Sequence, residues 1–192
     1  MEEPVKEIKG DYFKYEELLK GAKKTSTATI VLDQIKGNHK HTRAKTVEVT
    51  HNSISEDIEL IVESKIANKR DFKFKLRAPE FTGKPFFRFD SDGVSHYNRA
   101  EDIELSKQKV DTPHFHKYDP NGINLAYKTP SLENETECKA LLNDINLCMA
   151  HYSDESQTFY NDKDYIEIIQ TPPTELDFES VKDNPTEGVN YE

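Results

Sequence analysis

Between Lys23 and Asp90 the chain repeats one motif, a short stretch in which apolar and polar residues trade places every second position. "DFKFKLR" is the clearest case. Phe72, Phe74 and Leu76 fall on one side, Lys73, Lys75 and Arg77 on the other, as the two-residue period of a strand requires. "TATIVL", "AKTVEVT", "IELIVESKI" and "PFFRFD" have the same length and β-branched or aromatic content, so the region predicts an antiparallel sheet. Elsewhere the period changes. In "DYFKYEELLKGA", Tyr12, Tyr15, Leu18 and Leu19 form one stripe, which predicts a short helix over about Asp11–Leu19 closed by Gly21. In "NETECKALLNDINLCMAHY", Cys138, Leu141, Leu142, Ile145, Cys148, Met149 and Tyr152 keep helical spacing. One long helix is expected there, with Asn134 as its N-cap and Glu137 at the third helical position. "DYIEIIQ" is expected as a last short strand.

"YDPNGINL" predicts a hairpin. Proline presets the turn and Gly122 supplies the positive φ that closes it. A type I turn with a bulged glycine sets Asp119 opposite Ile123, His116 opposite Ala126 and His114 opposite Lys128. One face then carries His114, His116, Tyr118, Asn124 and Lys128, and the other Phe115, Leu125 and Tyr127. The fold expected is α+β: a curved antiparallel sheet packed by one long C-terminal helix, plus a short N-terminal helix. Residues 1–24 form an N-terminal helical segment, 25–170 a single α+β domain, and 171–192 an acidic flexible tail.

The formal net charge of −10 argues against a general nucleic-acid coat protein. The charge is uneven. From Lys20 to Glu48 seven Lys or Arg face two acids; from Thr171 to Glu192 six acids face Lys182 alone. "MEEPVKEIKG" lacks the apolar core of a secretory signal, and no run approaches the length of a membrane span. Cys138 and Cys148, ten residues apart on one expected helix, lie about 15 Å apart, beyond disulfide reach. A cytoplasmic setting with no membrane partner is therefore expected.

Three stretches carry candidate chemistry. "FRFDSDGVSHYN" sets Arg88 and Asp90 on one strand face, followed by a turn and His96. "PHFHKY" sets His114 and His116 about 6.5–7 Å apart on another strand. "NHKHT" repeats the spacing with His39 and His41, where a basic turn explains them without a site. His51 and His151 suit surface or core-edge roles. The blocks R-x-D-x-x-G-x-x-H-x-N (Arg88, Asp90, Gly93, His96, Asn98) and P-H-x-H-x-Y (Pro113, His114, His116, Tyr118), then Ala126 and Tyr127, resemble a family of small uncharacterised bacterial and phage proteins. More distantly they resemble the TumE-type toxins of toxin–antitoxin pairs. The resemblance covers about residues 70–155 and implies a site in a toxin-like or phage-defence context.

One chemistry open to such a set is metal-independent RNA cleavage. A neutral imidazole takes the ribose 2′-OH proton and a protonated one supplies the leaving oxygen. Arg88 holds the phosphate, and Asp90 orients an imidazole or the arginine. His114, His116, His96, Arg88 and Asp90 are then the catalytic candidates. Tyr118 and Tyr127 could stack a base, and Lys117 and Lys128 complete the substrate contacts. RNA and a protein partner, an antitoxin or host factor, are the expected partners; no cofactor is called for. Two alternatives stay open. His114 and His116 could bind a metal with His96 or Asp111 as a third ligand, or the cluster could belong to a non-enzymatic inhibitor or antitoxin-like binding module. All of these need the arginine strand and the histidine ribbon side by side.

Overall fold

The computed structural model describes residues 3–37, 39–98, 104 and 108–170. Two short helices come first, α1 (Lys6–Gly10) and α2 (Tyr12–Lys20). Asp11 caps α2 by accepting a hydrogen bond from the Lys14 amide at 3.0 Å, and Gly21 ends it, as expected. The strands β1 (Lys23–Thr25), β2 (Thr29–Leu32), β3 (Ile35–Lys36), β4 (His39–His51), β5 (Ile58–Lys65), β6 (Phe72–Arg77) and β7 (Phe87–Asp90) follow. Then come β8 (His96–Tyr97), β9 (Lys109–Val110), β10 (His114–Tyr118) and β11 (Asn124–Tyr127). The C-terminal part holds α3 (Pro130–Glu133), α4 (Glu135–Asn143), α5 (Ile145–Ser156), β12 (Thr158–Phe159) and β13 (Glu167–Gln170).

The main sheet runs β11-β10-β7-β6-β5-β4-β1-β12, with β3 added beside β4. It curls into a half-barrel. Its neighbours are antiparallel except β1 and β12. Alternation decides its two faces. Phe72, Phe74, Phe89 and Phe115 are buried on one of them. Tyr152 of α5 lies against Phe74, Phe87 and Phe115 at 5.3, 5.4 and 6.2 Å between ring centres. Burying each such ring contributes about 1.5–3 kcal/mol. This face is the core, and it leaves the opposite face of the same strands to Lys73, Lys75, Arg88, Asp90, His114 and His116.

Three expectations need correction. The C-terminal helix starts at its expected N-cap, Asn134, with α3 a separate turn before it, but it is interrupted at Asp144, between α4 and α5; both residues have extended backbone. Each turns its side chain onto the amides that follow. Asn134 accepts from Thr136 and Glu137 at 3.0 and 3.1 Å, and Asp144 from Asn146 and Leu147 at 2.8 and 3.2 Å. Short Asn and Asp side chains compete with the helical ladder in this way. Apolar spacing carries across the break unchanged and so conceals it. Cys138 and Cys148 therefore sit on different helices, both as free thiols. Finally, "TATIVL" does not join the main sheet; β2 pairs in parallel with β13, the short last strand expected from "DYIEIIQ".

The N-terminal segment belongs to the same core, through Ile8, Tyr15 and Leu18. It docks on the β10–β11 hairpin. The Val5 amide donates to the Gly122 carbonyl at 2.9 Å, and the Tyr118 amide to the Tyr15 hydroxyl at 2.7 Å. Gly122 has φ +75°, and a Cβ there would stand 2.4 Å from the Val5 carbonyl oxygen; turn geometry and close approach both require glycine. The expected acidic tail, 171–192, lies outside the described residues. Among the described residues no helix is long and apolar enough to cross a membrane.

Candidate functional site

The hairpin has the register read from its turn: His116 faces Ala126 and Tyr118 faces Asn124. What the turn alone could not give is the neighbour on the other side. There β10 pairs with β7, placing His114 opposite Asp90 and His116 opposite Arg88. On the far side of β7, Lys73 faces Asp90 and Lys75 faces Arg88. Residues opposite one another in an antiparallel pair share a face. One short row therefore holds Lys73, Asp90 and His114, and the next holds Lys75, Arg88 and His116.

The row is buried although it stands on the polar face. His114 is 1% exposed, His116 4% and Asp90 6%. The chain leaving β7 passes the hairpin to reach its outer edge. Asn98 there exchanges two 2.7 Å hydrogen bonds with the backbone of Ala126. His96, just before it, lies near the Asn124 carbonyl at 3.1 Å and packs its ring 5.0 Å from His116 and 6.5 Å from His114. The half-buried His96 and its segment thus close the imidazoles off from water.

The contacts converge on one point. Asp90 Oδ2 is 3.1 Å from Arg88 Nε, 3.3 Å from His116 Nε2 and 3.9 Å from His114 Nε2. The Lys73 ammonium is 3.5 Å from Asp90 Oδ1. Arg88 Nη2 lies 2.8 Å from His116 Nε2, and His116 Nδ1 lies 3.3 Å from the Asn124 side-chain oxygen. His116 Nε2 cannot both donate to Asp90 and accept from Arg88. Arginine keeps its protons, and it is the closer partner, so Nε2 accepts and Nδ1–H points at Asn124. The Arg88 guanidinium is then the positive group that both Asp90 Oδ2 and His116 Nε2 face.

Electrostatics keep both imidazoles neutral. Burial, followed by the neighbouring His116, pushes His114 down to about 4. Burial also lowers His116, against the opposing pull of Asp90. For Asp90 burial is the largest influence and favours the neutral acid, but the cations Arg88 and Lys73 beside it help to hold the carboxyl well below its usual range. Among the described residues, Arg88 Nε, Asp90 Oδ1 and His114 Nδ1 make no hydrogen bond of proper geometry.

Such a set can hold a cation. The ligand atoms of Asp90, His114 and His116 lie within 4.8 Å of one another. A metal about 2.0–2.2 Å from each of three tetrahedral ligands separates those ligands by about 3.3–3.6 Å. The separations at Asp90 are 3.3 and 3.9 Å and all three ligand atoms lie within 4.8 Å, so the set would draw in slightly to close on an ion. Arg88 holds the same His116 lone pair, so it would have to swing aside from Nε2.

The structure gathers His114, His116, His96, Arg88 and Asp90, and places the other candidates elsewhere. Tyr118 packs edge-on against Tyr15 at 5.9 Å. Tyr127 and Lys117 lie on the face away from the imidazoles, with the Lys117 ammonium 4.6 Å from the Tyr127 ring centre and the Tyr127 hydroxyl donating to Glu155. Together with Lys128 and Lys109 they border a separate hollow. Asp111 is exposed and bonded to Ser95 and Lys109, so the carboxylate beside the His-x-His pair is Asp90. His39 and His41 are exposed on β4. Sequence reasoning missed Lys73 as a member. The alternation of "DFKFKLR" did place Lys73, Lys75 and Arg77 on one face. Each proves paired across strands, with Asp90, Glu63 and Glu59 respectively. Comparison with family models, with curated proteins and with solved structures finds no match.

Proposed function

We propose that this protein binds a divalent transition metal through Asp90, His114 and His116 and uses it on an anionic substrate held by Arg88. The observation that supports this most is the convergence of one carboxylate oxygen and two imidazole nitrogens on a single buried point. Two histidines and a carboxylate with positions left open suit zinc, iron(II), manganese or nickel. Burial favours the neutral imidazole, which is the form a metal takes. Once displaced from His116, the Arg88 fork would offer a planar pair of donors to a carboxylate or phosphate beside the metal.

The same residues support a second reading, the toxin-like, metal-independent ribonuclease. Its support is the 2.8 Å approach of Arg88 to His116, a contact that needs no metal. It asks one imidazole to be protonated near neutral pH, which burial of His114 and His116 opposes, and it ranks second for that reason. The test is titration of metal-stripped protein with zinc and cobalt(II). One equivalent of each should bind, cobalt with visible absorption of a nitrogen–oxygen site, and binding should vanish in His116→Gln that keeps its circular dichroism. Failure of zinc, cobalt, nickel, manganese and iron(II) alike would sink the metal reading. Degradation of total RNA in excess chelator, abolished by His114→Ala with His116→Ala, would carry the ribonuclease reading instead.

A further inference from the structure

Beside the candidate centre, across Lys73, the polar face of the sheet opens into a hollow of about 240 Å³ between β3, the start of β4, β5 and β6. Four lysines border it, Lys36, Lys65, Lys73 and Lys75, with only two carboxylates, Glu63 and Asp71. The arrangement is built rather than loose. The Glu63 side chain is 9% exposed and receives the Lys36 ammonium at 2.7 Å and the Lys75 ammonium at 2.8 Å. One buried carboxylate thus fixes two ammonium groups and can neutralise only one. Lys73 leans the other way, to Asp90, whose charge it shares with Arg88. Among the lining groups, four lysines therefore face two carboxylates, Glu63 and Asp71. A surplus of two positive charges remains on a concave, half-buried surface in a chain of net charge −10.

We infer that this hollow binds a small phosphate-bearing anion. Like charges gathered in a cleft raise the local concentration of a counter-ion, and low-dielectric walls strengthen the attraction. A phosphate group of about two negative charges matches the surplus, and lysines act as point-charge donors to it. The volume suits inorganic phosphate or a compact phosphate ester. The inference stands apart from the metal reading, because two of the lining lysines, Lys36 and Lys75, hold their places through Glu63 whether or not Asp90 carries a metal.

The experiment is a titration of metal-stripped, full-length protein at low ionic strength, followed by backbone amide shifts. Working without metal separates its failure from failure of the metal reading. Inorganic phosphate should saturate, with shifts centred on Thr42, Ser64 and Phe72. Glycerol phosphate serves as a second probe: tighter binding assigns a phosphate ester as the ligand, and equal or weaker binding assigns free phosphate. Lys75→Gln should weaken the better probe about tenfold or more. Because that change also alters the ion pairs of Glu63, Lys65→Gln, at the exposed rim, gives an independent check, with an expected loss of about threefold. The inference is overturned if phosphate fails to saturate by about 20 mM, a level far weaker than useful affinity. Shifts scattered over other basic residues, unchanged affinity in both variants, or an RNA oligonucleotide that binds the same amides more tightly than either probe would overturn it as well.

Discussion

Lys23 and Asp90, two of the charged groups buried among the described residues, are buried differently. Lys23 of β1 is 1% exposed. Its ammonium donates to the carbonyls of Leu18, Leu19 and Gly21 at 2.8, 3.1 and 2.6 Å. These are the open carbonyls at the C-terminal end of α2, where the helix dipole is negative. Three donors meet three acceptors, and the group is closed. Asp90 is also buried, but its partners are side chains from three strands, and the cluster keeps unmatched atoms on Asp90 and His114. The first arrangement is what stabilising a helix end requires. The second holds charge and lone pairs in reserve, which is costly in a structure and useful for binding. Unmatched atoms alone do not make a site: the Tyr152 hydroxyl is also without a partner, yet aromatic rings of the core surround its side chain.

The contrast can be broken most forcefully at Asp90. Asp90→Ala leaves Arg88 and Lys73 facing each other without a counter-charge. It should cost about 3–5 kcal/mol in urea unfolding, as loss of one partner of a buried pair does. A loss below about 1 kcal/mol would mean that water already screens the cluster.

The closed site predicts a slope. Burial pushes Lys23 down to about 7, against 10.5 unfolded. Between those values the unfolded chain holds a proton that the folded one lacks, so stability should rise as pH increases from 7 toward 10.5. The gain is about 2–4 kcal/mol. Thermal melts of wild type and Lys23→Met across that range check it; the variant should lack this contribution. The smallest effect lies on the acid side. His114 stays neutral in the fold down to about 4, whereas unfolded it charges near 6.5. Stability should fall by about 2 kcal/mol as pH drops from 6.5 to 4, and His114→Gln should flatten that window when compared with wild type by urea midpoint.

How much of this could be read in advance differs from element to element. The α2 boundaries were legible because Asp11 and Gly21 are local signals. So was the register of β10 with β11, because a turn of known type fixes which residues face each other. The cap at Asn134 was legible as another local signal, but the break at Asp144 was not, because the apolar stripe running through it argued for continuity. Lys73 was placed on the correct face and still not assigned to the site, because face is a property of one strand and partnership a property of two.

The sequence by itself determined local geometry: the alternation that makes a two-faced sheet, the helix ends, the hairpin, and the set of residue types capable of chemistry. Local backbone preferences and hydrophobic period act over a few residues, and these features depend on nothing further away. Tertiary structure decided that β7 lies between β6 and β10, that Asp90 rather than Asp111 is the carboxylate at the histidines, and that the segment around His96 shields them from water. Those outcomes arise from pairing between strands distant in the chain, where burial of the aromatic face selects the order and the polar face takes the neighbours that order leaves it.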